Sequence, residues 1–446
     1  MSPDRSTPAP ALAVVGATGA IGSVLLRMLP TRAALWGEIR LIASARSAGR
    51  TLTVPVSPGL AAARAAALRA AGRETGPGTE TGPGTEVGEF VVALPAPRAD
   101  QTHSPSAPIG DDGFRPTSNA PARTFGGSAT LDPEPEVATQ AEVLALDEAA
   151  FAGLGPGDVV LFLTPAEVSA RWAPAAAAGG ACVVDQSAAF RADPEVPLVA
   201  PEINPEAARH RPRSLIAGPD CVTAVLVSAL GPLHAEYGLV DLAVSSYQAA
   251  GAHGRDAVDT LLRQLALVAD PDADLGRTPG DLRRVVGEDT GPFAAPLALN
   301  VIPWSGTAGP DGWSSHELAL RAETRRILDL PELPVSVTCV QVPVAVGHSL
   351  TVRARFGRTV TAEDARDLLR AAPGVVVADD PAAGDFPTPA DAAGTDPAWV
   401  GRVRVALDDP NALEFFVCAD NLRRGVALNG IQTAELIAGE FDHVAL

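Results

Sequence analysis

The chain has 446 residues, 46% of them hydrophobic, and a formal charge of −19. That length exceeds one compact core and points to two domains, while the acidic balance argues against nucleic acid or an anionic membrane as partner. Charges and prolines keep every apolar run short of the ~18–20 residues of a membrane span, and MSPDRSTPAPALAVVGATGA lacks a signal-peptide layout, so a cytoplasmic protein is expected.

Residues 11–16, ALAVVG, read as a strand, and ATGAIGSVLLRMLP as a tight turn and a helix stopped by proline. GEIRLIASARSAGR is a second strand entering a polar loop, the opening of an α/β dinucleotide-binding unit. From 57 to 140 the pattern dissolves into the tandem repeat ETGPGTETGPGTE and a run rich in Pro, Ala, Ser and Asp. Such composition buries too little apolar surface to offset ordering entropy. A disordered surface insertion is expected there, with one short helix in LAAARAAALRAAG. Strands resume in GDVVLFL and ACVVDQS around the Ala-rich helix AEVSARWAPAAAAGG. A helix follows Cys221, and LVDLAVSSYQAAG is a strand running into a loop. VSVTCVQVPVAVGHSLTVRARF reads as long alternating strands of an antiparallel or mixed sheet. AEDARDLLRAA is a helix, and DNLRRGVALNGIQTAELIAGEF a strongly amphipathic one.

Gly16, Gly19 and Gly22 stand after a strand and open a helix. Glycine there permits a tight turn and brings backbone N–H groups against a pyrophosphate. Thr18, Ala20 and Ile21 belong to the same candidate cofactor-binding stretch. Where an adenosine ribose would lie, the second strand is followed by Ser44, Arg46 and Ser47 with no acidic residue. That set suits a 2′-phosphate and hence NADP, although an ordinary solvated loop would look the same. The four cysteines, Cys182, Cys221, Cys339 and Cys418, form no CxxC or Cys/His cluster, so neither zinc nor a disulfide is indicated. Cys221 opens a helix behind a Gly-Pro-Asp turn. A helix N-terminus lowers a thiol pKa; small core filler is the competing reading. His348, in VAVGHSLTV after a strand, is an acid/base candidate, or else a surface strand-end histidine. Gln248 in SSYQAAG is a candidate donor to a substrate carbonyl or thiolate, or a simple loop amide. Arg191 in DQSAAFR is a candidate anion binder, or a surface salt-bridge partner.

The ordered blocks AVVGATGAIG, LIASARSAGR, VVDQSAAFR, PLVAPEIN, GPDCVTA, SSYQAA, NVIPW, ETRRIL, TCVQVPVAVGHS, FPTP, VGRVRV and DNLRRGVALNGIQTAELI cover nearly the whole chain outside the insertion. Together they resemble the aspartate-semialdehyde dehydrogenase family in its bacterial branch. The resemblance implies an α/β fold, a Rossmann-like NADP-binding domain plus an α+β catalytic and dimerisation domain. Residues 1–217 would form the first, 218–412 the second, and 413–446 a C-terminal helix returning to the first. It also implies an NADP-dependent phosphorylating aldehyde dehydrogenase of amino-acid biosynthesis, a homodimer or homotetramer taking an acyl phosphate or aldehyde and phosphate. By the same resemblance Cys221 is the nucleophile, Gln248 orients the reacting carbonyl, His348 is the acid/base and Arg191 holds phosphate. Asn421, Gly425 and Asn429 match the segment that returns to the cofactor domain.

The departures fall on substrate-reading positions. Gln341 stands where the family carries an arginine that clamps the substrate carboxylate. His316 and Ala319 replace a glutamate that binds the amino group and a lysine that assists phosphate. Asp220 replaces the asparagine before the cysteine, where its charge should disfavour a thiolate. Gly251–Gly254 read GAHG for SGAG, and Thr164–Glu167 read TPAE for a small Ser-Ala-Gly-Gly turn. A neutral amide cannot replace a carboxylate–guanidinium pair, whose loss costs about 2–5 kcal/mol. Three readings follow: reduction of aspartyl phosphate or a related substrate, a divergent paralogue acting on another activated acid, or a catalytically silent nucleotide-binding member.

Overall fold

Strand β1 (Ala11–Val15) is buried at every residue, as a parallel strand covered on both faces must be. The computed structural model describes residues 9–55, 138–269 and 275–439; the expected insertion and its short helix lie outside them, except that β4 begins at Ala138, three residues inside the 57–140 segment. Around β1 lie β2 (Glu38–Ala43), β3 (Thr51–Pro55), β4 (Ala138–Ala145), β5 (Val159–Phe162), β6 (Cys182–Asp185) and β7 (Leu215–Ala217). Their order is β3-β4-β2-β1-β5-β6-β7, parallel throughout except for the antiparallel β3–β4 edge. Helices α1 (Ala20–Met28) and α2 (Ala166–Ala178) are its crossovers.

Helix α3 (Cys221–Tyr237) leaves the end of β7 and packs on a second sheet. Its strands are β8 (Leu239–Gln248), β9 (Val335–Gln341), β10 (His348–Phe356), β11 (Val375–Val377), β12 (Ala398–Ala406) and β13 (Asp409–Ala419), in the order β11-β12-β13-β10-β8-β9. Two pairings, β8–β9 and β11–β12, are parallel and the others antiparallel, so the sheet is mixed. Val222, Val225, Leu226, Ala229 and Leu233 of α3 share a core with Leu350, Val352, Phe415 and Val417 of that sheet. Helices α5 (Ser315–Ile327) and α6 (Ala362–Ala371) pack on the same core, and α4 (Arg255–Val268) buries Ala257, Leu261 and Val268 in a separate cluster with Val286 and Phe293.

The C-terminal segment departs from expectation in two ways. Strand β13 runs across the 412/413 boundary to Ala419. After it comes a π-helical turn, Arg423–Leu428, and then α7 (Asn429–Ala438), in place of one strongly amphipathic helix. Arg424 to Ile431 are buried without interruption, because the segment is wedged between α1, α3 and strands β5 and β6. Its one deep charge, Arg424, is paired: Nη1 donates to Glu202 Oε1 at 2.8 Å, and Nη2 bonds Glu202 Oε2 and Ser228 Oγ. Both side chains of the pair are under a tenth exposed. Removing one partner of a buried pair strands the other charge. Glu202→Ala should therefore lose about 3–5 kcal/mol of stability, read as a lower denaturation midpoint in urea.

Candidate active site

Cys221 is the first residue of α3, at the carboxyl end of the parallel sheet, where open α/β sheets place their ligands. It is partly exposed, whereas the other three cysteines are buried. The turn before it is held from below by Arg191, whose three nitrogens are all bonded. Nε donates to Gly218 O at 2.9 Å, Nη2 to Gln186 O at 2.8 Å and Nη1 to Asp220 Oδ2 at 3.2 Å. Glu323 of α5 braces the same turn, accepting from Asp220 N at 2.7 Å and lying 3.8 Å from Arg191 Nη1. Gly425 presses on the cysteine: a Cβ there would lie 2.7 Å from Cys221 Cβ.

Asp220 caps α3 through Val222 N at 3.0 Å. Burial works against its charge, but Arg191 holds the carboxyl below the usual range. Burial pushes Glu323 up to about 7 against the same guanidinium. The thiol does not follow the simple helix-terminus expectation. Burial, and then the Asp220 charge, push Cys221 well above an ordinary thiol; Arg191 and the Val222 N–H pull the other way and are outweighed.

Three strand ends set the facing side chains in a row. Gln341 and Gln248 are register partners on β9 and β8, and His348 opens β10 beside them. His348 is fully buried, not a surface strand-end residue. Its Nε2 lies 3.1 Å from Cys221 Sγ, and its Nδ1 accepts from Ala249 N at 3.0 Å. A nitrogen accepting a backbone N–H carries no proton, so in neutral His348 the proton sits on Nε2, facing the sulfur. Burial pulls this imidazole down to about 4, so it is neutral at pH 7. The thiol has its own acceptor in Asp220 Oδ1, 3.7 Å away.

Gln341 does not stand alone: its Nε2 donates to His253 Nε2 at 2.7 Å, and His253 stacks edge-on against Phe293. His316 reaches Gln248 through Ser305, with 3.0 Å from His316 Nδ1 to Ser305 Oγ and 2.8 Å on to Gln248 Oε1. Ala319 is half-buried on α5.

At the glycine-rich turn, Gly16 has φ +94° and a Cβ would meet Leu163 O at 2.4 Å; one on Gly22 would meet Gly16 O at 2.3 Å. Only glycine fits, and Gly19 begins α1 without a side-chain cap, leaving its first N–H groups for an anion. Ala20 and Ile21 form the first turn of α1. Thr18 Oγ1 donates to Ser47 Oγ at 3.2 Å, joining this turn to the exposed loop of Ser44 and Arg46. In TPAE, Thr164 Oγ1 bonds Ser169 Oγ at 2.9 Å. Asn421 Oδ1 accepts from Gly347 N at 2.9 Å, whereas its buried Nδ2 has no partner among the described residues. That orphaned donor fits a carboxamide acceptor such as the one on a nicotinamide. Asn429 accepts from Gln186 Nε2 at 3.2 Å.

Residues 122–211 match the family model for the semialdehyde dehydrogenase NAD binding domain, and 230–424 the model for the semialdehyde dehydrogenase dimerisation domain. The chain is 42% identical to the aspartate-semialdehyde dehydrogenase of Streptomyces akiyoshiensis over 304 residues, 68% of this chain and 87% of that one. The chain belongs to the aspartate-semialdehyde dehydrogenase family. Its Synechocystis relative is 30% identical over 96% of both chains. Aspartate semialdehyde dehydrogenase II of Vibrio cholerae, solved in complex with ASA, superposes with a TM-score of 0.71 at 27% identity, covering 98% of this chain and all of that one. Membership in the aspartate-semialdehyde dehydrogenase family agrees with the two sheets described above.

Sequence reasoning missed Glu323, Ser305 and His253 as site residues. Glu323 left a signal: with Leu320, Thr324 and Ile327 it lies on the buried stripe of α5, an odd place for a carboxylate. Ser305 and His253 left none beyond the altered GAHG block. Asp220→Asn keeps the cap but removes the charge that raises Cys221, so thiolate forms at lower pH. Iodoacetamide should alkylate the variant several-fold faster than the native protein at pH 7, with Cys221→Ser as blank; an equal or slower rate would contradict the assigned electrostatics.

Proposed function

We propose that the protein reduces an acyl phosphate to an aldehyde with NADPH through a thioester on Cys221. The observation that carries this is the 3.1 Å approach of His348 Nε2 to Cys221 Sγ, beside the Gln248 amide and above Arg191. The Cys221 proton passes to Asp220 Oδ1, its acceptor at 3.7 Å, as sulfur attacks the acyl carbon. The bond from that carbon to the phosphate oxygen breaks, and phosphate leaves with the electron pair. Gln248 offers the carbonyl oxygen a donor, and the His348 Nε2–H stabilises negative charge on sulfur. When bound, NADPH supplies hydride to the thioester carbon. The adduct on Cys221 then collapses, the C–S bond breaks and sulfur recovers its electron pair as the aldehyde departs.

Gly16 to Gly22 and the α1 N-terminus would hold the pyrophosphate, Ser44, Arg46 and Ser47 the 2′-phosphate, and Asn421 Nδ2 the carboxamide. Arg191 would meet phosphate as a guanidinium already paired with Asp220. The described residues up to Ala217, together with those after Ala419, form the cofactor domain in this reading, and the described residues between them the catalytic one. The match to a dimerisation model supports a homodimer or homotetramer.

ASA, bound in the Vibrio cholerae relative, makes aspartate semialdehyde the first substrate to test. Phosphate-dependent reduction of NADP, faster than of NAD and absent in Cys221→Ala, is the expected result; NADPH binding without turnover would remove aspartate semialdehyde as the substrate and point to a different acyl group or a silent member. The Gln341–His253 pair favours a second reading, in which the acyl group differs, because two neutral groups replace a carboxylate clamp. In that case Gln341→Arg should raise kcat/KM for aspartate semialdehyde at least tenfold, since even about 2 kcal/mol of recovered pairing exceeds that factor; no gain would remove the second reading.

A further inference from the structure

Gln248 is useful to a carbonyl only if an N–H, and not its own oxygen, faces the reacting atoms. A carboxamide is nearly symmetric in shape, so packing alone does not decide which end points where. The direction of the hydrogen bonds around it does, and that direction turns on whether His316 Nδ1 carries a proton. Ser305 Oγ donates to Gln248 Oε1 at 2.8 Å, and Gln248 Nε2 donates to Ser246 Oγ at 3.1 Å. Ser246 is the register partner of Cys339 on β9. With the His316 Nδ1 proton present, the contact of that nitrogen with Ser305 at 3.0 Å is a bond Ser305 accepts, and its one hydroxyl proton goes to Gln248. The chain then runs one way: His316 Nδ1–H to Ser305, Ser305 to Gln248, Gln248 to Ser246. Reversing the amide would set its NH2 against the Ser305 hydroxyl and its oxygen against Ser246, turning every member around.

The backbone is shaped to bring these groups together. Gly306 has φ +86°, and a Cβ there would lie 2.2 Å from Ser315 Oγ and 2.9 Å from His316 Cδ2. Ile302 and Gln341 exchange both backbone hydrogen bonds, at 3.0 and 2.8 Å, which ties the loop carrying Ser305 to the end of β9. Ser305 and Ser246 are fully buried and Gln248 is 1% exposed, so water does not compete for the bonds. With Oε1 taken by Ser305, both N–H bonds of Gln248 lie on Nε2, and one of them is given to Ser246 at 3.1 Å.

We propose that Ser305 and His316 are positioning residues, which orient the Gln248 carboxamide so that the other N–H serves the carbonyl oxygen of the acyl group on Cys221. The proposal rests on the Cys221 and Gln248 roles given above and deepens them. It requires no cofactor, so the test uses p-nitrophenyl acetate as acyl donor and reads Cys221 acylation as nitrophenolate release, with Cys221→Ala as blank. Ser305→Ala should slow acylation about ten- to a hundredfold, the upper end being the cost of a ~1 Å misplacement. His316→Leu should do the same, whereas His316→Asn, which retains an N–H donor at the Nδ1 position, should restore most of the rate. In a Gln248→Ala background, Ser305→Ala should change nothing further, because both act on one unit. Full activity in Ser305→Ala and His316→Leu, or losses that add to that of Gln248→Ala, would overturn the positioning role. Unchanged acylation in Gln248→Ala would instead remove the role of Gln248, and the relay with it. A native protein with no Cys221-dependent release would remove the nucleophile itself.

Discussion

The Arg191 guanidinium beneath the Gly218–Cys221 turn is the contact on which the site depends. It ties β6 and β7 to the start of α3 through two backbone carbonyls and the Asp220 carboxylate. Two carboxylates share this single buried cation: Asp220 keeps its charge and sits beside the thiol, whereas burial pushes Glu323 up to about 7. A helix N-terminus alone would have favoured a thiolate; here burial and Asp220 outweigh it. The resting site holds a protonated sulfur between a donor, His348, and an acceptor, Asp220.

That arrangement is assembled where the two sheets meet. Helix α3 begins at the first sheet and spends its length in the core of the second. The C-terminal segment makes the reverse journey, leaving β13 and burying Val426, Ala427, Leu428 and Ile431 against Leu12, Val14 and Leu161 of the first. At the crossing Gly425 touches Cys221, within the π-helical turn. Such turns occur mostly as local insertions at functional sites. Asn421, at the start of this return, fixes the Gly347 N–H, and Gly347 adopts φ +106° to place His348 against the sulfur.

The polar groups nearest the row of strand ends are hydrogen-bonded pairs and relays. Gln341 is matched to His253, and Gln248 to Ser305 and His316. Buried polar networks of this kind are stable only when each member is satisfied in one consistent direction. Changing a single member therefore alters the orientation of its neighbours as well as its own contact.

The sequence by itself determined the order of strand, glycine turn and helix, the α/β character of the first sheet, and the residue types of the candidate site. These follow from local periodicity and turn sterics, as at Gly16 and Gly22, where no other side chain fits. The family blocks likewise placed Cys221, His348, Gln248 and Arg191. What only the tertiary structure decided is which groups meet and where their protons lie. The tautomer of His348 comes from Ala249, and the direction of Gln248 from Ser305 and His316. The elevated thiol comes from burial and Asp220 together. The C-terminal segment, read as amphipathic, is enclosed because its polar residues find partners across the fold, Arg424 with Glu202 and Asn429 with Gln186. Protonation and hydrogen-bond direction depend on contacts between segments far apart in the chain, and no local pattern encodes them.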